Sequence, residues 1–222
     1  MNSQLSFFQK INIYRETGLK IIRGFWNKIF LKESKGFLFV GRRVSIHNCK
    51  HIKVGKNVKF ESLSEIQGLS RHGIVFGDNV TIGYGTQIRP SSYYGVGDIG
   101  YGLSVGYNSA IGPMGYVGCA GSIKIGNNVL IGPKATLIAE NHKFDDFDRP
   151  IKDQGVQQQG IIIEDNVWIG ANVVVLDGVT IHANSIIGAD SLVSKDIEAG
   201  KIFVNRRNCW TRDRPVKERS VN

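Results

Sequence analysis

From Ile163 onward an aliphatic residue returns at every sixth position, at Ile163, Ile169, Val175, Ile181, Ile187 and Val193. A helix repeats its buried face every 3.6 residues and a half-buried strand every second residue, so neither element sustains this beat. A six-residue period with Gly, Asn or Asp between the aliphatics is that of a hexapeptide parallel β-helix, a solenoid whose flat faces are very short strands. Backwards, the beat takes in Val40, Ile46, Val54, Phe60, Ile66, Phe76, Ile82, Ile88, Ile99, Val105, Ile111, Val117, Ile125, Ile131 and Leu137. Together these make about twenty-one hexads, or about seven triangular coils at three hexads per coil.

The intervening residues keep the same period. Three positions after an aliphatic stands Asn57, Asn79, Asn108, Asn128, Asn166, Asn172 or Asn184, where a tight corner asks for positive φ and Asn tolerates it. One position further on comes a small or β-branched residue, such as Val58, Val80, Ser109, Val129, Ala135, Val167, Val173, Val179, Ser185 or Ser191. Such residues suit the narrow interior beside a corner.

With 222 residues, 41% of them hydrophobic, the chain is expected to form one good-sized domain with appendages. No apolar run approaches the roughly 18 residues that would span a bilayer, and a cleavable signal pattern is absent at the N-terminus. Cys49, Cys119 and Cys209 are scattered and odd in number, which points to a reducing cytoplasm rather than a disulfide framework. The formal charge of +9 resides mostly in the two ends, between Lys10 and Arg43 and between Lys195 and Arg219. No nucleic-acid motif accompanies it, so the expected partners are a phosphate-rich small ligand or an acidic membrane surface, not a nucleic acid.

Three regions follow: a helical cap over 1–36, the β-helix over 37–199 with a long loop at 140–160, and a basic tail over 200–222. In the first, Leu19, Ile22, Trp26, Ile29 and Phe30 stand at helical spacing with Lys20, Arg23, Lys28 and Lys32 interleaved, an amphipathic basic helix. Two readings are open for it: a cap over the open end of the solenoid, or a surface helix lying on the inner leaflet of a membrane.

The beat is interrupted at five places. Counting rows in order from Val40, the enlarged spacings Ile46 to Val54, Ile66 to Phe76 and Ile88 to Ile99 fall at one corner of the triangle. Val117 to Ile125 and Leu137 to Ile163 fall at a second. Loops on a rigid scaffold are where binding and chemistry usually reside. The largest, Glu140 to Gly160, carries ENHKFDDFDRP and is expected to rise above the short Cys119–Gly121 insertion one coil earlier.

The segments ENHKF (Glu140 to Phe144), GIIIEDNVWIGANVVVLDGVTI (Gly160 to Ile181) and IIGADSLVSKDI (Ile186 to Ile197) resemble the hexapeptide-repeat acyltransferases. Within that family they are similar to the sugar O-acetyltransferases of capsule, lipopolysaccharide, galactoside and maltose acetylation. The resemblance implies a left-handed β-helix and a homotrimer, with acetyl-CoA in the groove between neighbouring prisms and the long loop reaching across to the adjacent subunit. It also implies that His142 is the general base. The chemistry asks for one, because a sugar hydroxyl is a poor nucleophile and an imidazole titrating near neutral pH can take its proton. On composition alone His142 is a surface loop histidine. His47, His51, His72 and His182 occupy corner or turn positions, are expected to be solvated, and form no metal triad with His142, so no metal is expected.

Glu140 and Asn141 are the candidates to orient the imidazole, and backbone N–H groups at Ala120 and Gly121 the candidates to hold an oxyanion. Trp168 matches the tryptophan that borders the cofactor groove in similar enzymes, an outward ring being favoured because the interior is too narrow for it. Gly170, Ala171, Gly188 and Ala189 would leave room for a pantetheine arm, and Lys195 matches a lysine placed to meet a CoA phosphate. The tail, VNRRNCW, departs from the family pattern, with Arg206 and Arg207 as substitutes for its phosphate contacts. For the sugar or glycan acceptor the candidates are Tyr93 and Tyr94, in a tyrosine-rich stretch that can equally decorate the outer faces, and Asp145 and Asp146 beside His142. The expected activity is O-acetylation of a sugar hydroxyl. The alternatives are N-acetylation of a nucleotide-linked amino sugar and, in another class, a noncatalytic solenoid scaffold.

Overall fold

The computed structural model of the protein describes residues 4–91 and 98–205. Strands of two or three residues stack into three parallel sheets, the faces of a triangular prism of about seven coils, which is the left-handed parallel β-helix. Face A runs from Glu33–Ser34 through Ile123–Ile125 to Thr180–Ile181. Face B runs from Leu38–Val40 through Leu130–Ile131 to Ile202–Phe203, and face C from Ser45–His47 through Thr136–Ile138 to Leu192–Val193. So short a strand cannot stand alone. Stability comes from the stack, in which Gly112, Gly132 and Gly170 N–H donate to Ile131, Ile169 and Ile187 O at 2.8, 2.7 and 2.8 Å.

The aliphatics of the beat fill the interior, with Ile169, Val175, Ile181 and Val193 fully buried. Phe60 and Phe76 meet edge to face there at 5.2 Å. All seven corner asparagines have positive φ, and they form ladders along the prism, including Asn108 Nδ2 to Asn128 Oδ1 at 2.8 Å and Asn166 Nδ2 to Asn184 Oδ1 at 2.8 Å. The small residues that follow them are buried throughout.

Ile99 breaks the expected phase. It is 44% exposed, and the strand after Gln87–Arg89 on face A is Leu103–Val105. An aliphatic inside an insertion had stood at hexad distance from Val105 and mimicked a coil position. With it removed, the five enlarged spacings do not divide between two corners. They run from Ile46 to Val54, Ile66 to Phe76, Ile88 to Val105, Val117 to Ile125 and Leu137 to Ile163, and each leads from face C to face A. One corner of the prism therefore carries every insertion.

The N-terminal helix, Phe7–Lys28, is closed at its start by a capping box between Ser6 and Gln9. It lies across the edge strand Leu38–Val40, whose carbonyls have no preceding coil to meet. Arg23 Nε donates to Val40 O at 2.8 Å, Lys28 Nζ to Gly36 O at 2.6 Å, and Lys20 pairs with Glu61 at 2.6 Å. Gly24 brings the two backbones together, since a Cβ there would sit 1.7 Å from Leu38 O. The stripe Leu19, Ile22, Trp26, Ile29 and Phe30 is exposed, so the face that caps the solenoid is the small and polar one. At the other end the solenoid outlasts its hexads: Ile197 bridges to Ile181 and Ile202–Phe203 joins face B beside Ile186–Ile187.

Candidate functional site

The corner between faces C and A is a wall of stacked loops, and the longest leaves it as a hairpin. Asn141–His142 pairs antiparallel with Val156–Gln157, and Lys143 N–H donates to Gly155 O at 3.0 Å, Gly155 taking the positive φ of 84° that this turn requires. Within the loop, Gln154 Nε2 donates to Asp146 O at 2.7 Å and Arg149 O at 2.8 Å. The Asp146 carboxylate accepts from Asp148 N–H at 3.0 Å, which ties this side chain to the loop's own turn. His142 is exposed and lines an open cleft of about 700 Å³ with Asn141, Lys143, Phe144, Asp145, Gln157 and Gln159.

The floor of the wall is polar and braced. Arg89 holds Glu65 through two bonds, Nε to Oε1 at 2.6 Å and Nη2 to Oε2 at 2.9 Å. Tyr116, two strands along from Glu65 on the same outer face, folds its ring over Gly118, where a Cβ would lie 3.0 Å from Tyr116 Cε1. Burial pushes the Tyr116 hydroxyl pKa up, with Arg89 opposing and the charges of Glu140 and Glu65 adding to the rise. Glu140 is thus close enough to bear on Tyr116. Burial likewise pushes the Cys119 thiol well up, so this cysteine behaves as a small core hydrophobe.

The sequence-derived site residues divide into groups. Glu140, Asn141, His142 and Asp145 share the corner wall, and Asp146 stands beside them with its carboxylate engaged. Gly121 N–H donates to Ala139 O at 2.9 Å and is not free to meet an oxyanion, while Ala120 is buried beside it. Trp168 projects outward from face B, 52% exposed, in a column with Leu130 and Ile186. Gly170, Ala171, Gly188 and Ala189 stack at the corner between faces B and C. Gly170 has no side chain for a reason internal to the stack, since a Cβ would lie 2.6 Å from Ala189 N. Lys195 is exposed. Face B lies opposite the corner that bears His142, so a single chain does not bring Trp168 to His142. Tyr93, Tyr94, Arg206 and Arg207 lie outside the described residues.

Two of the remaining histidines, solvent-accessible as expected, also have a protein partner. His182 Nδ1 meets Glu164 Oε1 at 3.1 Å and His51 Nδ1 meets Ser70 O at 3.2 Å. The Ala183 N–H and then His182 hold the Glu164 carboxyl below the usual range. The sequence reasoning missed Arg89, Glu65, Gln157 and Gln159. Arg89 ends the strand Gln87–Arg89 at the insertion corner, and its side chain reaches Glu65 at the start of the neighbouring strand Glu65–Gln67.

Comparison with known proteins agrees with this architecture. A family profile described as bacterial transferase hexapeptide (six repeats) matches residues 160–195. The galactoside O-acetyltransferase of Lactococcus lactis is 45% identical over 76 residues, 34% of this chain and 35% of that protein. The galactoside O-acetyltransferase of Escherichia coli is 46% identical over 76 residues, 34% of this chain and 36% of that protein. Over residues 160–195 the chain carries the hexapeptide repeat of bacterial transferases. Its match spans little more than a third of the length of these two relatives. Among solved structures, AntD, an N-acyltransferase from Bacillus cereus in complex with dTDP-4-amino-4,6-dideoxyglucose and coenzyme A, superposes with a TM-score of 0.54 at 17% identity. The alignment covers 86% of this chain and 90% of that one, a likeness of fold. The hexapeptide profile takes in Trp168, Gly170, Ala171, Gly188, Ala189 and Lys195, and stops short of the basic tail.

Proposed function

We propose that this protein is an acetyl-CoA-dependent O-acetyltransferase acting on a sugar hydroxyl of a glycan or glycan precursor, with His142 as general base. The observation that carries the proposal is the position of His142: exposed in an open cleft, on a hairpin that rises from the corner where every insertion stacks. The match to galactoside O-acetyltransferases supports the choice of donor and acceptor. In the step proposed, the acceptor hydroxyl oxygen attacks the thioester carbonyl carbon while its proton passes to the His142 imidazole. The C–S bond then breaks, and the imidazole returns the proton to the departing thiolate. Glu140 and Asn141 are the neighbours positioned to orient the ring, and Asp145 with Gln157 and Gln159 offers polar groups for acceptor hydroxyls.

The active unit proposed is a homotrimer. Trp168 and the corner of Gly170, Ala171, Gly188 and Ala189 form one wall of a cofactor groove, with Lys195 near its end, and the His142 corner of a neighbouring subunit forms the other. The exposed Leu130 and Trp168 with the half-buried Ile186 in their column, and the loop residue Phe147, 99% exposed on a hydrogen-bonded loop, are apolar surfaces that such an assembly would cover.

The test is thiol release from acetyl-CoA with a panel of neutral sugars and amino sugars, followed by mass analysis of the product. O-transfer predicts release with neutral sugars and an ester product cleaved by hydroxylamine. Release with amino sugars alone would overturn the acceptor assignment. Failure of acetyl-CoA to shift the melting temperature would overturn the enzyme itself.

A further inference from the structure

The N-terminal helix is docked inside out. Its inward face includes Thr17, Lys20, Ile21, Gly24, Asn27 and Lys28, which are buried or half-buried, and it is held by polar bonds to the edge of the first coil. On the opposite face Phe7, Ile11, Tyr14, Ile22, Phe25 and Ile29 follow one another at helical spacing, with Phe8, Leu19, Trp26 and Phe30 alongside, and all are exposed. Burial ordinarily sets the apolar stripe of a helix against the protein. Here the polar bonds of Lys20, Arg23 and Lys28 lock the stripe outward, along a helix of 22 residues, about 33 Å at 1.5 Å per residue.

We infer that this face is a docking surface for an anionic lipid bilayer, on which the helix lies parallel to the membrane plane. The charge around the stripe identifies the occupant. Between Phe7 and Lys35 stand seven basic residues against two acidic ones; Lys20, Arg23 and Lys28 are engaged with the first coil, Lys10, Arg15, Lys32 and Lys35 stand outside those bonds, and both acids are paired within the protein. Glu16 meets Arg15 and Arg42, each at 3.3 Å, and Glu33 meets Lys35 at 3.1 Å and Lys53 at 3.5 Å. A second copy placed on the stripe would bring basic rim against basic rim, which costs energy. Anionic headgroups meet the same rim favourably, while Trp26, Phe25 and Phe30 enter the boundary between headgroups and acyl chains. Among the described residues no helix is long and apolar enough to cross a membrane, so the helix lies on the surface rather than spanning it. This inference does not depend on the proposed acetyl transfer.

The full chain is sedimented with vesicles of phosphatidylcholine alone and of phosphatidylcholine mixed with phosphatidylglycerol. The expected result is cosedimentation with the mixed vesicles, weakened by added salt and at least tenfold lower for the double variant Phe25→Asp with Ile29→Asp. Both side chains are exposed, so the variant should keep the wild-type melting temperature. No cosedimentation of the wild type, or equal cosedimentation of wild type and variant, would overturn the inference. So would an oligomer of the wild type that the variant alone dissolves, because the stripe would then be covered by a second copy.

Discussion

At the scale of single residues, the corners decide whether the hexad can close. Asn57, Asn79, Asn108, Asn128, Asn166 and Asn184 turn the chain from face A to face B with φ between 55° and 61°, a region that costs most L-residues about 1–2 kcal/mol. Each asparagine tolerates that conformation, and Asn57, Asn108 and Asn166 bond through their side chains to Asn79, Asn128 and Asn184 of the next coil. Asn128→Val is therefore expected to destabilise by about 1–2 kcal/mol, and Asn128→Gly by less, since glycine adopts this φ without a steric penalty. Urea unfolding of the two variants checks the order. These corners were legible in the sequence because the φ requirement acts on residue type directly. Ile99 was misread for the complementary reason: aliphatic character records burial only statistically, and an insertion can place an exposed isoleucine at hexad distance.

At the scale of elements, the helix shows that a capping element need not use its apolar face. The first coil offers unpaired carbonyls more than apolar surface, and an edge of that kind is best met by donors, which Arg23 and Lys28 supply. Periodicity alone revealed the stripe but not its orientation, because orientation depends on what the edge strand presents. Gly24→Ala tests the contact. A Cβ driven into Leu38 O leaves the helix no docked position at its present distance, and overpacking of this kind costs about 1–3 kcal/mol. Hydrogen exchange should then show the amides of Phe7–Lys28 losing protection while those of faces A, B and C away from the first coil keep theirs. Unchanged helix protection would mean that the close approach is not what holds the helix.

At the scale of the whole molecule, the solenoid is a ruler and the insertions are its markings. Most of the prism was legible from the period, and so was the place of His142 on the longest loop. The gathering of all five insertions at one corner was not, since a single miscounted hexad rotates every later row by one face. The floor formed by Glu65, Arg89 and Tyr116 was hidden with it, for its members lie far apart in sequence and meet only through correct stacking. Trp168 and His142 stand on opposite sides of one prism, which is why the proposed active unit needs more than one chain. Acyl transfer at this corner is proposed to run through His142. The most direct measurement is the rate of acetyl transfer by His142→Ala beside the wild type, with acetyl-CoA binding followed by thermal shift. The expected result is a fall in kcat/KM of about a hundred- to ten-thousand-fold, the usual contribution of a general base, with binding retained. Undiminished transfer by the variant would contradict it.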